Sequence, residues 1–455
     1  MSDRNNAANA NANRNNNNGG RCANTSLVYT MKKIRDIYLK IISKENLYAA
    51  VYMAAKGRRY RDTTADFNFY LEEEIDRLHR ELSQKTYCHG KYRLFTIYEP
   101  KERKIAAAPF RDRVVHHAVH DVIEPIIDKT FIYDSYACRK DKGTHKAVDR
   151  AQSFLRANKF CFHGDIKKYF PSINHGMLKE ILRRKIDDAD LLWLLDEIID
   201  SAMSLRGAVG DEAIAERRDC FAPKCGARND SRIGLPIGNL TSQFFANLYL
   251  SELDYFIKFD LRERYYLRYM DDFLVFGNDK RELFKIRETI GDFLNNNLSL
   301  NLHEGKSQVY QTKRGINFLG FRIFRNYRRL TSNNTRRFRK RLKSFGYLSR
   351  TFPEDKTVRD EIRDSVRCWV AHSKYANTKR LRLNIWSHLV EKKEVLGNSL
   401  KEILLDGVGV GFSRERERER VNSRIRRNSF VQKVSYYISL GDNSAFCEST
   451  KRLCW

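Results

Sequence analysis

The segment YYLRYMDDFLVFG, residues 265–277, constrains this chain more than any other. Apolar and aromatic residues stand on both sides of an adjacent aspartate pair, a pattern that reads as strand, tight turn, strand, with Asp271 and Asp272 at the turn. Earlier in the chain the short apolar run FCFHG, 160–164, breaks at Asp165 and passes through Pro171 and a capping Asn174 into the helix HGMLKEILRRK. This is a second strand that ends on a carboxylate. Three carboxylates at neighbouring strand ends repel one another, and the arrangement becomes favourable where cations bind. Hard oxygen ligands select Mg²⁺, and two such ions roughly 3.5 to 4 Å apart suit an in-line phosphoryl displacement. Alone, an Asp-Asp pair is more often a solvated turn, so the surrounding sequence decides.

Helix and strand patterns alternate around these residues. Helical periodicity covers 31–56 and 67–82, the second with Leu71, Ile75, Leu78 and Leu82 on or near one face. A strand is predicted over 91–98, a helix after Pro109, a helix over 189–205, a polar insertion over 206–231, and a Gly/Pro loop running into an apolar helix over 234–257. A helix over 280–297, strands near 306–310 and 316–323, and a basic, mostly helical stretch over 330–400 follow. Residues 5–18 hold nine Asn and no apolar side chain larger than Ala, so burial there does not offset the entropy of ordering, and 1–28 reads as a disordered tail. The run RERERER at 414–420 reads as a solvated helix of mixed charge, or as a basic arm continued by Arg424, Arg426 and Arg427.

With 455 residues, 42% of them hydrophobic, the chain is long enough for one large enzyme of several subdomains. Lys plus Arg number 85 against 57 Asp plus Glu, and the net charge of +28 calls for a polyanionic partner. No apolar run of roughly 18 residues and no apolar leader are seen, which points to a cytoplasmic protein without a membrane partner. The nine scattered cysteines fit a reduced compartment, and Cys220 with Cys225 lacks the second pair or histidines of a zinc site.

The tetrapeptide YMDD at 269–272 resembles the catalytic box of reverse transcriptases, and further signatures surround it in that family's order. FHGDIKKYFPSI around Asp165 resembles the first palm motif, and GLPIGNLTSQFFANLYL at 234–250 the second. NLHEGKSQV around Lys306 and INFLGFRI at 316–323 resemble the two that follow the box. APFRDRVVHHAV at 108–119 and YACRKDKGTHKAV at 136–148 resemble fingers motifs, and the likeness runs over about 90–390. It implies an α+β right-hand polymerase: a tail at 1–28, N-terminal helices and fingers at 29–155, a palm of antiparallel sheet plus helices at 156–328, a helical thumb at 329–400 and a basic extension at 401–455. The implied activity is RNA-directed DNA synthesis with two Mg²⁺ ions, Mn²⁺ being the alternative. By the same likeness Asp165 and Asp271 bridge the metals, Asp272 completes the set, and the backbone carbonyl of Ile166 is an additional ligand. Phe170 is the aromatic that collides with a ribose 2′-hydroxyl, or else an ordinary core residue.

Arg139 and Lys142 stand where the family holds the incoming triphosphate, or form a solvated basic loop. Gly238 lets the backbone approach the templating pair, Ser242 and Gln243 begin a helix supporting the nucleotide, and Lys306 is a general acid for pyrophosphate or a surface lysine. The implied partners are template RNA, the RNA/cDNA duplex and dNTPs, with Arg336, Arg337, Arg339, Lys340 and Arg341 tracking the duplex backbone or forming a solvated helix face.

Ile237 precedes Gly238 where many of these enzymes carry Gln, and Gln243 ends the motif. That departure resembles reverse transcriptases of diversity-generating retroelements, which copy a template-repeat RNA with errors at adenines in mutagenic retrohoming, beside a small basic accessory protein. An apolar Ile237 removes a side-chain hydrogen bond near the nascent pair and weakens selection there. The Asn-dense tail resembles a translated template repeat, or is plain low-complexity sequence. The alternatives are a retron or defence-associated reverse transcriptase, and a non-catalytic RNA-binding or splicing cofactor, against which the intact aspartates speak.

Overall fold

The computed structural model of the chain describes residues 33–57, 62–98, 102–202, 233–352, 355–391 and 403–406. The tail at 1–28, the insertion at 206–231 with Cys220 and Cys225, and the charged run at 414–420 lie outside the described residues.

The helix expected over 31–56 is two, α1 (Tyr38–Ile42) and α2 (Lys44–Ala55). Ser43 between them is extended, and its hydroxyl accepts from the backbone N–H of Asn46, so it starts a new helix by capping. The second expected helix also divides, into α3 (Asp62–Phe69) and α4 (Leu71–Ser83), with Ile75, Leu78 and Leu82 of α4 buried. A hairpin follows, β1 (Arg93–Ile97) with β2 (Arg103–Ala107). Pro109 precedes α5 (Phe110–Ile127), and α6 (Thr144–Ala157) leads to β3 (Phe160–Asp165). Next come α7 (Tyr169–Ser172), α8 (His175–Lys185) and α9 (Ala189–Asp200). Asn174 caps α8 by accepting from the Met177 N–H at 3.1 Å, as its sequence position leads one to expect.

The apolar helix α10 (Leu240–Tyr255) precedes the β4 (Tyr266–Tyr269) and β5 (Asp272–Gly277) hairpin, α11 (Lys280–Leu298) and β6 (Gln308–Gln311). The strand expected over 316–323 is a tight hairpin, β7 (Ile316–Phe318) with β8 (Phe321–Ile323), because Leu319 and Gly320 turn at positive φ. β9 (Arg328–Leu330) extends it to three strands, and the basic stretch is α12 (Ser332–Thr351), α13 (Lys356–Lys374) and α14 (Lys379–Glu391).

The central sheet is antiparallel, in the order β4-β5-β3-β6. Alternation sends Phe162, Tyr266, Phe273 and Val275 into one core with α10 and α11, and Cys161, Leu267, Leu274 and Phe276 into a second core with α6 and the β7–β9 sheet. A sheet covered on both faces needs apolar residues at successive positions, which is why FLVF reads as a continuous run. Each fully buried Phe contributes about 2 to 3 kcal/mol of transfer free energy. Gly164 is required in β3, since a Cβ there would lie 2.2 Å from the Phe273 ring. Cys138 and Cys161 are free thiols, and among the described residues no helix is long and apolar enough to cross a membrane.

Candidate active site

The register of β3 against β5 sets Asp165 directly opposite Asp272. Asp271 lies in the β4–β5 turn beside Met270, whose φ is +57°, and its backbone carbonyl accepts from the Ile166 N–H at 3.3 Å. The chain after β3 is pinned from the other side by the 303–307 turn. The Asp165 carbonyl accepts from the His303 N–H at 2.7 Å, and the Asp165 N–H donates to Ser307 Oγ at 3.2 Å. The same turn delivers Lys306, whose Nζ donates to both Asp165 carboxylate oxygens at 2.7 and 2.8 Å. Across the sheet the imidazole of His163 pairs with the carboxylate of Asp272. Burial, reinforced by the charges of Asp165 and Asp272, pushes the Asp271 carboxyl up to about 6, against a hydrogen bond from its own backbone and the charge of Lys306.

These oxygens form a crowded acidic set of the kind that suits a hard divalent cation. Among the described residues no three acidic, His or Cys side chains form a ready-made cage; Asp165 is turned onto Lys306 and Asp272 onto His163. The Ile166 side chain is buried in the core. Lys306 places its positive charge directly beside the Asp165 carboxylate.

The second expected cluster surrounds the loop before α10. The N–H of Leu235 donates to the Phe170 carbonyl at 2.9 Å, and the half-buried Phe170 ring packs edge-on to Tyr169 at 5.6 Å. Ile237 accepts from the Ala106 N–H at 3.0 Å, which ties the loop to β2. Gly238 has a φ of +120°, and a Cβ there would stand 2.9 Å from Ile105 Cγ2. Ser242 is buried in the first turn of α10, while the exposed Gln243 accepts from Cys138 Sγ at 3.4 Å.

Arg139 and Lys142 are committed within the protein. The Arg139 guanidinium binds Asp128 and donates to the carbonyls of Ile132 and Ser135 at 2.8 and 2.9 Å, so its fork closes its own loop. Lys142 donates to the Tyr133 carbonyl at 2.8 Å, with Nζ 3.5 Å from the centre of the Tyr133 ring. The structure therefore gathers Asp165, Asp271, Asp272 and Lys306 into one group and leaves these two cations on partners of their own. A cleft of about 590 Å³ opens from Asp272 along the β7–β9 sheet to the start of α12, lined by Gly320, Arg322, Arg329 and Arg337 among others.

Sequence reasoning missed His163, Ser307 and Arg268. The two-residue period of a strand puts His163 on the same face as Asp165, and that signal was legible. Arg268 had none: an arginine in a strand reads as solvent-facing, yet it is fully buried against Asp254.

A family profile described as Reverse transcriptase (RNA-dependent DNA polymerase) matches residues 98–323, which contain every residue of the acidic group. Protein YkfC of Escherichia coli (strain K12) is 26% identical over 274 residues, 50% of this chain and 66% of that protein. The Group II intron-encoded protein LtrA of Lactococcus lactis subsp. cremoris is 23% identical over 353 residues, 63% of this chain and 55% of that protein. The chain spans less than two thirds of the length of either relative.

Proposed function

We propose that the chain is an RNA-directed DNA polymerase, a reading supported by the match of residues 98–323 to the reverse transcriptase profile and by the likeness to a group II intron-encoded protein. The observation that carries this reading is the register that sets Asp165 against Asp272 with Asp271 in the adjoining turn. Fingers at 29–155, palm at 156–328 and thumb at 329–400 are the corresponding divisions. Asp165, Asp271, Asp272 and the Ile166 carbonyl would hold Mg²⁺, which when bound activates a 3′-hydroxyl and neutralises the leaving pyrophosphate. Lys306, half-exposed and already beside Asp165, donates a proton to pyrophosphate. Phe170 excludes a ribose 2′-hydroxyl by its bulk. The cleft arginines at 322, 329 and 337 and the basic start of α12 hold the template–primer backbone.

The apolar Ile237 before Gly238 supports a narrower reading: cytoplasmic, adenine-prone copying of a template-repeat RNA in a diversity-generating retroelement, with a small basic accessory protein. Asp271→Asn with Asp272→Asn abolishes metal-dependent dNTP addition in a primer-extension assay while RNA binding persists, because the ligands go and the basic surface stays. Polymerisation surviving in that variant removes the active-site assignment. The narrower reading is tested by sequencing cDNA from the parent enzyme on one RNA template. Adenines copied as faithfully as the other bases leave a retron or defence-associated enzyme in its place.

A further inference from the structure

We propose that Arg268 is a positioning residue that holds the Met270–Asp271 turn in its working shape, an inference that rests on the polymerase reading of that turn. Arg268 and Asp254 are both fully buried and paired in a fork, Nε to Oδ1 at 2.7 Å and Nη2 to Oδ2 at 2.6 Å. The third arm of the guanidinium, Nη1, donates to Asn247 Oδ1 at 3.2 Å and to the Met270 carbonyl at 3.1 Å. Tyr266 steadies the anion by donating to Asp254 Oδ1 at 2.6 Å, and Asn247 donates onward to the Ala137 carbonyl at 2.7 Å. The Arg268 backbone bonds to the same loop, its N–H to the Asp134 carbonyl at 2.9 Å and its carbonyl from the Tyr136 N–H at 3.0 Å. One side chain thus joins the catalytic hairpin to α10, and its backbone joins it to the loop that carries Arg139.

Stability alone does not call for such a pair. Two charges taken from water lose hydration that their attraction barely restores, and well-packed apolar residues commonly replace a buried pair without loss. An apolar pair has no donor for the Met270 carbonyl. That carbonyl belongs to a non-glycine residue in the left-handed region, a conformation that lasts only where its surroundings enforce it. Asp271 follows directly, so the direction of its carboxylate depends on the Met270 backbone. Arg268 acts through that carbonyl and touches none of the reacting atoms.

The test uses the full chain and the double variant Arg268→Met with Asp254→Leu, which removes both charges. Thermal melting within a few degrees of the parent, a template–primer Kd and dNTP KM within about twofold, a kcat at least tenfold lower, and faster amide exchange at 269–272 are the results expected. Parental kcat and parental exchange in a folded double variant overturn the inference and leave Arg268 a purely structural residue. Should the double variant fail to fold, Arg268→Lys takes its place, since one ammonium keeps the charge beside Asp254 but cannot span both Asp254 and the Met270 carbonyl. Its expected result is again a lower kcat at unchanged KM, and parental kcat overturns the inference. If the parent extends no primer, the polymerase reading fails by itself. The exchange comparison then still decides whether Arg268 holds the turn.

Discussion

Phe170 joins two parts of the site, its carbonyl bonded to the loop before α10 and its ring half-buried beside Tyr169. A steric barrier is removed by truncation, so Phe170→Ala admits ribonucleotides, with the ratio of dNTP to rNTP kcat/KM falling at least tenfold in single-nucleotide extension. Unchanged discrimination makes Phe170 an ordinary packing aromatic. Ile237 is the other residue whose side chain carries a distinct claim. Its bond to Ala106 runs through the backbone, so Ile237→Gln preserves that tie while adding a polar group to the loop before α10. One recovered hydrogen bond contributes about 1 kcal/mol, so on the adenine-prone reading proposed above errors at template adenines fall several-fold relative to the other bases, read by deep sequencing of the cDNA.

The β1–β2 hairpin meets the loop before α10 at Gly238, where two constraints coincide. The φ of +120° is one that side chains rarely adopt, and a Cβ would press on Ile105 at 2.9 Å. Gly238→Ala therefore costs about 1 to 3 kcal/mol or shifts the hairpin, seen as a lower denaturant midpoint or a raised dNTP KM. Adding Ile105→Ala relieves the contact and leaves the backbone strain, so it recovers only part of the loss. Full recovery shows that the contact alone excludes a side chain. The hairpin's second strand, RKIAA, was missed in the sequence because it lacks the β-branched and aromatic alternation that marks a strand, and its pairing with RLFTI supplies what propensity does not. Ser43 similarly divides a continuous helical pattern, because a hydroxyl that caps a new helix competes with continuing the old one.

Across the whole molecule, stability responds to pH through groups that the active site does not use. His116 of α5 is buried, stacked on His89 with ring centres 5.3 Å apart and near His117 and Arg113. Burial first, then these neighbours, hold its pKa well below the ordinary value. Folding thus favours the neutral ring: the stabilisation is complete above the unfolded pKa of about 6.5 and is lost as pH falls below it. His116→Phe keeps the ring volume and removes the proton site. The parent loses roughly 1 kcal/mol more than this variant between pH 7.5 and 5.5 in urea titrations, and equal losses refute the assignment. The same contrast between local and global causes governs what the sequence reveals. The hairpin at 265–277, the strand ending at Asp165 and the Asn174-capped helix were determined by the sequence alone, since alternation and capping act over a few residues. Only the tertiary structure decided that Lys306 neutralises Asp165, that His163 engages Asp272, that Arg139 closes its own loop and that Arg268 is buried. A charged side chain is solvated or paired according to which groups the fold brings within about 4 Å and how much water it excludes, and residues 141 and 109 positions apart in the chain meet at Asp165 and Asp272 through sheet register and packing that no local pattern encodes.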